Sequence, residues 1–135
     1  MKINKKGFTL VELLVVIAII GILSTVAVVN LNSARDKAKL ASVQGSLSSI
    51  IPAAIICQDD GLNLTYTGAT VCDDSSAPVA GQVICVGSSG LWPTLPSGYT
   101  YSATCSSTFG SNTYDYTASG DGNTIACDQD GCQTS

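Results

Sequence analysis

An acid inside an apolar run is the first residue that demands a chemical explanation. Glu12, the chain's only glutamate, lies in Gly7-Phe8-Thr9-Leu10-Val11-Glu12-Leu13, and nothing after it is charged through Val29. A charge at the centre of a bilayer costs roughly 2.5 to 3.5 kcal/mol even on the lenient insertion scale, so a passive anchor would carry leucine there. Glu12 therefore reads as functional. Six cysteines form the second set: Cys57, Cys72, Cys85, Cys105, Cys127 and Cys132 all follow the apolar run. There is no Cys-x-x-Cys pair and no histidine to complete a zinc shell, which favours disulfides over a metal. The sequence leaves their connectivity open, and only Cys127 and Cys132, flanking Asp-Gln-Asp-Gly, are near enough to suggest a closed turn. The third set is Asp121, Asp128 and Asp130, hard oxygen ligands that could serve calcium if a hairpin brings them together. Turn formation is the plainer role for these aspartates, and neither a metal nor a cofactor is expected.

Other chemistry is excluded by composition. With no histidine there is no Ser-His-Asp triad, no Cys-His dyad and no helical zinc-hydrolase motif. Paired aspartates could in principle hydrolyse a glycoside, but residues 58–135 offer little room for the cleft this requires. An enzyme is not expected.

The element that must position Glu12 is the run itself. Phe8 to Val29 is 22 residues, about 33 Å as a helix against a hydrocarbon core of ~30 Å. Lys2, Lys5 and Lys6 precede it, and positive charge ahead of a first span holds that end in the cytoplasm, which sends the carboxyl end outside. A secretory signal has an apolar stretch of only about 7 to 15 residues with its cleavage site after it. Here the run is longer, and Gly7 stands before it.

Lys6-Gly7-Phe8-Thr9-Leu10-Val11-Glu12-Leu13, followed by Val15-Val16-Ile17-Ala18-Ile19-Ile20-Gly21-Ile22-Leu23, resembles the leader and first helix of bacterial type IV pilins and type II secretion pseudopilins. The resemblance covers about the first 30 residues. It implies that a prepilin peptidase cuts between Gly7 and Phe8, that the new amine of Phe8 is N-methylated, and that Glu12 is the assembly acid of the family pattern. A pairing of the Glu12 carboxylate with the Phe8 amine of a neighbouring copy would explain the buried acid. Where many members carry a proline, this chain has Ala27-Val28-Val29-Asn30. The implied partners are other copies of the chain in a filament, the prepilin peptidase, the assembly ATPase and platform protein, and the membrane.

After Val29 the spacing of Leu31, Ala34, Ala38, Leu40, Ala41, Val43, Leu47, Ile50, Ile51 and Ala54 predicts a continuing amphipathic helix with one buried stripe. Pro52 should kink or restart it, and Cys57-Gln58-Asp59-Asp60-Gly61 reads as its end. Short β-type runs follow at 64–67, 82–86, 99–103, 113–118 and 124–127. Ser119-Gly120-Asp121-Gly122-Asn123 predicts a hairpin between the last two. Trp92 in a Pro-pinned loop reads as a core plug. Asn63-Leu64-Thr65 fits the glycosylation triplet, a pattern with many false matches.

The expected fold is α+β, with a long helix from about Phe8 to Cys57 packed on a small antiparallel sheet stapled by disulfides. Its segments are a leader (1–7), a transmembrane and assembly helix (8–29), an amphipathic continuation (30–57) and a β-rich head (58–135). Beyond Lys39 the chain has eight Asp and no Lys or Arg, a composition that disfavours nucleic acid. The expected function is structural: a prepilin held in the cytoplasmic membrane with its head outside, then assembled into an extracellular pilus. The alternatives are a secretion pseudopilin forming a short periplasmic filament, and a monomeric, membrane-tethered binding module.

Overall fold

The computed structural model describes residues 6–68, 70–73, 75–103, 105–108 and 113–135. It divides into two compact units, Met1–Ala38 and Lys39–Ser135. Helix α1 runs Leu10–Ser48 and passes through Ala27-Val28-Val29-Asn30 without a break, and α2 runs Ile51–Asp59. The helical stretch expected to run to Cys57 is thus two helices, with the restart that was expected at Pro52. Pro52 has no N–H to return to the Ser48 carbonyl, so the ladder stops there. The Ile50 N–H instead donates to the Leu47 carbonyl at 3.1 Å, a tighter turn. The helix then restarts with Pro52 in its first turn, where a missing donor is harmless. Helix α2 ends on Gly61, whose φ of 72° suits glycine. The Gly61 and Leu62 N–H groups donate back to the carbonyls of Gln58 and Cys57, a Schellman closure.

Strands β1 (Thr65–Thr67) and β2 (Thr70–Val71) form a small antiparallel ribbon. The main sheet contains β3 (Tyr99–Tyr101), β4 (Ser106–Thr108), β5 (Thr113–Gly120), β6 (Asn123–Asp128) and β7 (Gly131–Thr134). Its order is β3-β5-β6-β7, with β4 also paired to β5, and every pairing is antiparallel. The predicted hairpin is β5–β6, closed by Asp121 and Gly122 at φ 48° and 78°, the left-handed pair that a two-residue hairpin turn requires. A Cβ on Gly120 would run into the Gly98 carbonyl, which fixes glycine where β3 enters the sheet.

The core lies in the Lys39–Ser135 unit. Val43, Leu47 and Ile50 are buried there with Ala54 and Cys57 of α2, Leu64, Ile84 and Trp92 of the loops, and Tyr116, Ala118 and Ile125 of the sheet. The predicted stripe is covered from Val43 onward, while Leu31 remains 53% exposed. Trp92 is the expected plug: its indole N–H donates to the Thr65 carbonyl at 2.7 Å, and its ring meets Tyr101 and Tyr116 edge-on at 5.6 and 5.4 Å. The Tyr116 hydroxyl donates to the Leu47 carbonyl at 2.8 Å, capping the end of α1 from the sheet. Residues 82–86, expected as a strand, make only an isolated bridge between Val83 and Leu91. The Val83 and Ile84 carbonyls are taken by the Thr65 hydroxyl and N–H, so no regular ladder forms.

Candidate assembly and processing segment

Gly7, Phe8 and Thr9 precede α1 in irregular backbone, and Phe8 is 86% exposed. Thr9 caps the helix. Its hydroxyl oxygen accepts the Glu12 N–H at 3.3 Å, and one Glu12 carboxylate oxygen, Oε2, accepts both the Thr9 N–H and the Thr9 hydroxyl at 2.9 Å. Thr9-Leu10-Val11-Glu12 is therefore a capping box, in which each residue satisfies an otherwise unpaired donor of the other. That pattern of a threonine, two residues and a glutamate ahead of an apolar run is visible in the sequence, yet sequence reasoning assigned Glu12 only an intermolecular role. The carboxylate's other oxygen, Oε1, accepts no hydrogen bond among the described residues.

Beyond the cap, the apolar residues of α1 as far as Val29 have no cover among the described residues. Leu10, Leu14, Ile17, Ile22, Leu23 and Val29 are each more than half exposed. Among the described residues this is a helix long and apolar enough to cross a membrane, and none of its most apolar stretch is buried. A core helix of a soluble protein would be covered, so the exposure separates the two. The hydroxyls of Ser24 and Thr25 donate back to the carbonyls of Ile20 and Ile22 at 2.7 and 2.8 Å, which satisfies these two side-chain donors within the helix, as a lipid environment requires.

The other candidate residues fall elsewhere. All six cysteines are paired: Cys57–Cys85, Cys72–Cys105 and Cys127–Cys132. Cys127 and Cys132 face each other across β6 and β7, as their spacing suggested. The hairpin that was expected to unite Asp121 with Asp128 and Asp130 does form, but it separates them. Asp121 sits in the turn before β6, and Asp128 ends β6 at the opposite end of the strand. Asp121 accepts an ion pair from Lys39 at 2.7 Å. Asp128 accepts the N–H groups of Asp130 and Gly131 at 2.8 and 3.2 Å, the role of a turn aspartate. Of the glycosylation triplet, Thr65 is buried with its hydroxyl donating to the Val83 carbonyl, and the Asn63 side chain is half-buried with its carbonyl oxygen accepting from the Ser107 hydroxyl at 3.2 Å.

An uncovered N-terminal helix and a disulfide-linked, antiparallel head define a pilin-like α+β protein. Residues 2–28 match the model of the prokaryotic N-terminal methylation motif. The chain is 29% identical over 118 residues, 83% of its length and 76% of the relative's, to the type IV major fimbrial protein FimA of Dichelobacter nodosus. It is 45% identical over 64 residues to the type IV wide pilus major component PilA4 of Thermus thermophilus, a match covering 47% of each chain. A probable minor fimbrial protein of Dichelobacter nodosus is 33% identical over 67 residues, 50% of this chain and 42% of that one. The chain thus spans about half the length of the Thermus relative. No solved structure matches at comparable significance. The motif and these relatives support the type IV pilin family for this chain, and the relatives are structural pilus and fimbrial subunits rather than enzymes.

Proposed function

We propose that the chain is the precursor of a pilus subunit, anchored by residues 8–29 in the cytoplasmic membrane with its head outside, and polymerised through that helix into an extracellular filament. The observation that carries this reading is the uncovered apolar length of α1 beside a head that buries its own core. Each fully covered large apolar side chain contributes about 1.5 to 3 kcal/mol, so such a helix is stable only in lipid or against like helices. The pilus and fimbrial names of the relatives favour a surface filament over a periplasmic secretion piston.

Processing and assembly follow from the same residues. Cleavage by a prepilin peptidase between Gly7 and Phe8 creates an amine on Phe8, which is then N-methylated. Glu12 has one oxygen engaged in the cap and one unengaged, so its carboxylate serves the helix of its own copy while pairing with the Phe8 amine of a neighbour. Opposite unit charges ~4 Å apart at an effective dielectric of ~20 attract by about 4 kcal/mol, comparable to the cost of placing the acid in the apolar layer. The pair's main effect is then register rather than net stability. The assembly ATPase and platform protein are the remaining partners in this scheme. Expression as the only pilin copy, followed by electron microscopy of the cell surface, tests it: filaments containing this polypeptide are expected, and a processed but strictly monomeric membrane protein would favour a tethered binding module.

A further inference from the structure

Charge is distributed unevenly between the two units. Beyond Lys39 there is no basic residue, and Lys39 engages Asp121. Arg35 is the chain's only arginine, and it is exposed. Neither it nor Lys37 has an ion-pair partner among the described residues.

The Lys39–Ser135 unit contains a partly open cavity of about 160 Å³ lined by Ile55, Gln58, Asp59, Tyr114 and Gln129. Tyr114 is 3% exposed, and its hydroxyl is a buried side-chain polar atom without a hydrogen-bond partner among the described residues. A native fold rarely leaves such a group unmet without reason. The Asp59 carboxylate has no ion-pair partner among the described residues. Gln58 donates one amide N–H to the Ser107 hydroxyl at 3.1 Å, and its side-chain carbonyl oxygen can accept a further bond. Every polar group around the cavity can therefore accept a hydrogen bond, and the charge present is negative. Burial, reinforced by the nearby charge of Asp128, raises the Tyr114 pKa and keeps its hydroxyl neutral at ordinary pH.

We propose that this cavity receives the guanidinium of Arg35 from a second copy of the chain in the assembled filament. The inference rests on the filament reading above. A planar fork of N–H donors matches several converging acceptors, including a carboxylate, better than the point charge of a lysine does. Ile55 supplies apolar surface for the methylene stem. Within one chain type, Arg35 is the only guanidinium that can fill this site.

The test uses full-length chain expressed as the only pilin copy. Arg35→Glu and Asp59→Arg should each lower the yield of sheared filaments about ten-fold or more, and the two changes combined should restore it to within about three-fold of wild type. Lys37→Glu should change the yield less than about two-fold if the site reads the fork rather than general positive charge. Tyr114→Phe supplies a readout of opposite sign in two states: detergent-solubilised monomers should melt no lower than wild type, while filaments should dissociate at lower temperature. Normal filaments from Arg35→Glu, or a charge-swapped pair no better than its single changes, would overturn this inference and leave the filament reading standing. Absence of filaments from the wild-type chain would overturn both.

Discussion

Leu23 and Leu47 lie on the same helix and meet opposite fates. Leu23 is 64% exposed, in the company of a run of equally uncovered apolar neighbours, whereas Leu47 is wholly buried among Ile50, Trp92 and Tyr116. In the Lys39–Ser135 unit the chain supplies its own partners for apolar surface, and among the described residues of Met1–Ala38 it supplies none. The Lys39–Ser135 unit buries its own apolar surface; the apolar run of Met1–Ala38 has to find its cover in its surroundings. Their polar chemistry differs in the same way. Trp92 and Tyr116 place their donors on carbonyls of their own chain, while Glu12 leaves an oxygen unengaged beside a segment that is nearly all apolar.

The sharpest way to break this contrast is at Glu12. Glu12→Leu removes both the cap and the charge, and Glu12→Gln keeps a cap acceptor while removing the charge. Both should leave cleavage and membrane insertion intact and reduce assembled filaments at least about ten-fold, which surface shearing and electron microscopy would record. If Glu12→Gln assembled normally and only Glu12→Leu failed, the acid would be acting as a helix cap alone.

Next in size comes a paired truncation on α1. Leu47→Ala should cost about 2 to 5 kcal/mol of head stability, through the lost burial and the cavity left behind. Leu23→Ala should change head stability by no more than about 0.5 kcal/mol. Denaturant melts of detergent-solubilised protein would show both. Equal effects would mean that the two parts of α1 are not the separate environments described.

The disulfides sharpen the account of the head. Cys57–Cys85 and Cys72–Cys105 close long segments, with sequence separations of 28 and 33, and Cys127–Cys132 closes one of 5. Replacing the Cys57–Cys85 pair by alanine should cost about 3 to 4 kcal/mol and replacing Cys127–Cys132 about 2, on the chain-entropy account. Thermal melts of the two variants should differ in that order.

Alkaline pH gives the smallest effect near neutrality. Burial raises the pKa values of Tyr101 and Tyr116 well above the ordinary tyrosine range. In the unfolded chain they ionise near pH 10, so the fold holds more protons above that pH, and its stability, full below about 10, falls as pH rises further. Urea midpoints should be flat between about pH 7 and 9 and fall above about 10. Flat midpoints into the strongly alkaline range would show that these hydroxyls are not shielded.

Much of this was legible in the residues. The uncharged run, the Pro52 break, the Asp121-Gly122 hairpin and the Trp92 plug each rest on a local rule that the fold obeys. Strands β4 and β7 were not legible, because Ser106-Ser107-Thr108 and Gly131-Cys132-Gln133-Thr134 carry no apolar alternation and exist through pairing with β5 and β6. The reverse failure is 82–86, β-like in composition but drawn into bonds with Thr65. The pairings of Cys57 with Cys85 and of Cys72 with Cys105 depend on long-range packing that no spacing reveals. The Tyr114 cavity was equally hidden, since a tyrosine's lack of a partner exists only in three dimensions.

Mass spectrometry of the polypeptide recovered from sheared surface filaments tests the central claim most directly. The account predicts a chain beginning at Phe8, one methyl group heavier than its sequence, with all six cysteines oxidised. Filaments lacking this chain, or a membrane form that still begins at Met1, would contradict it.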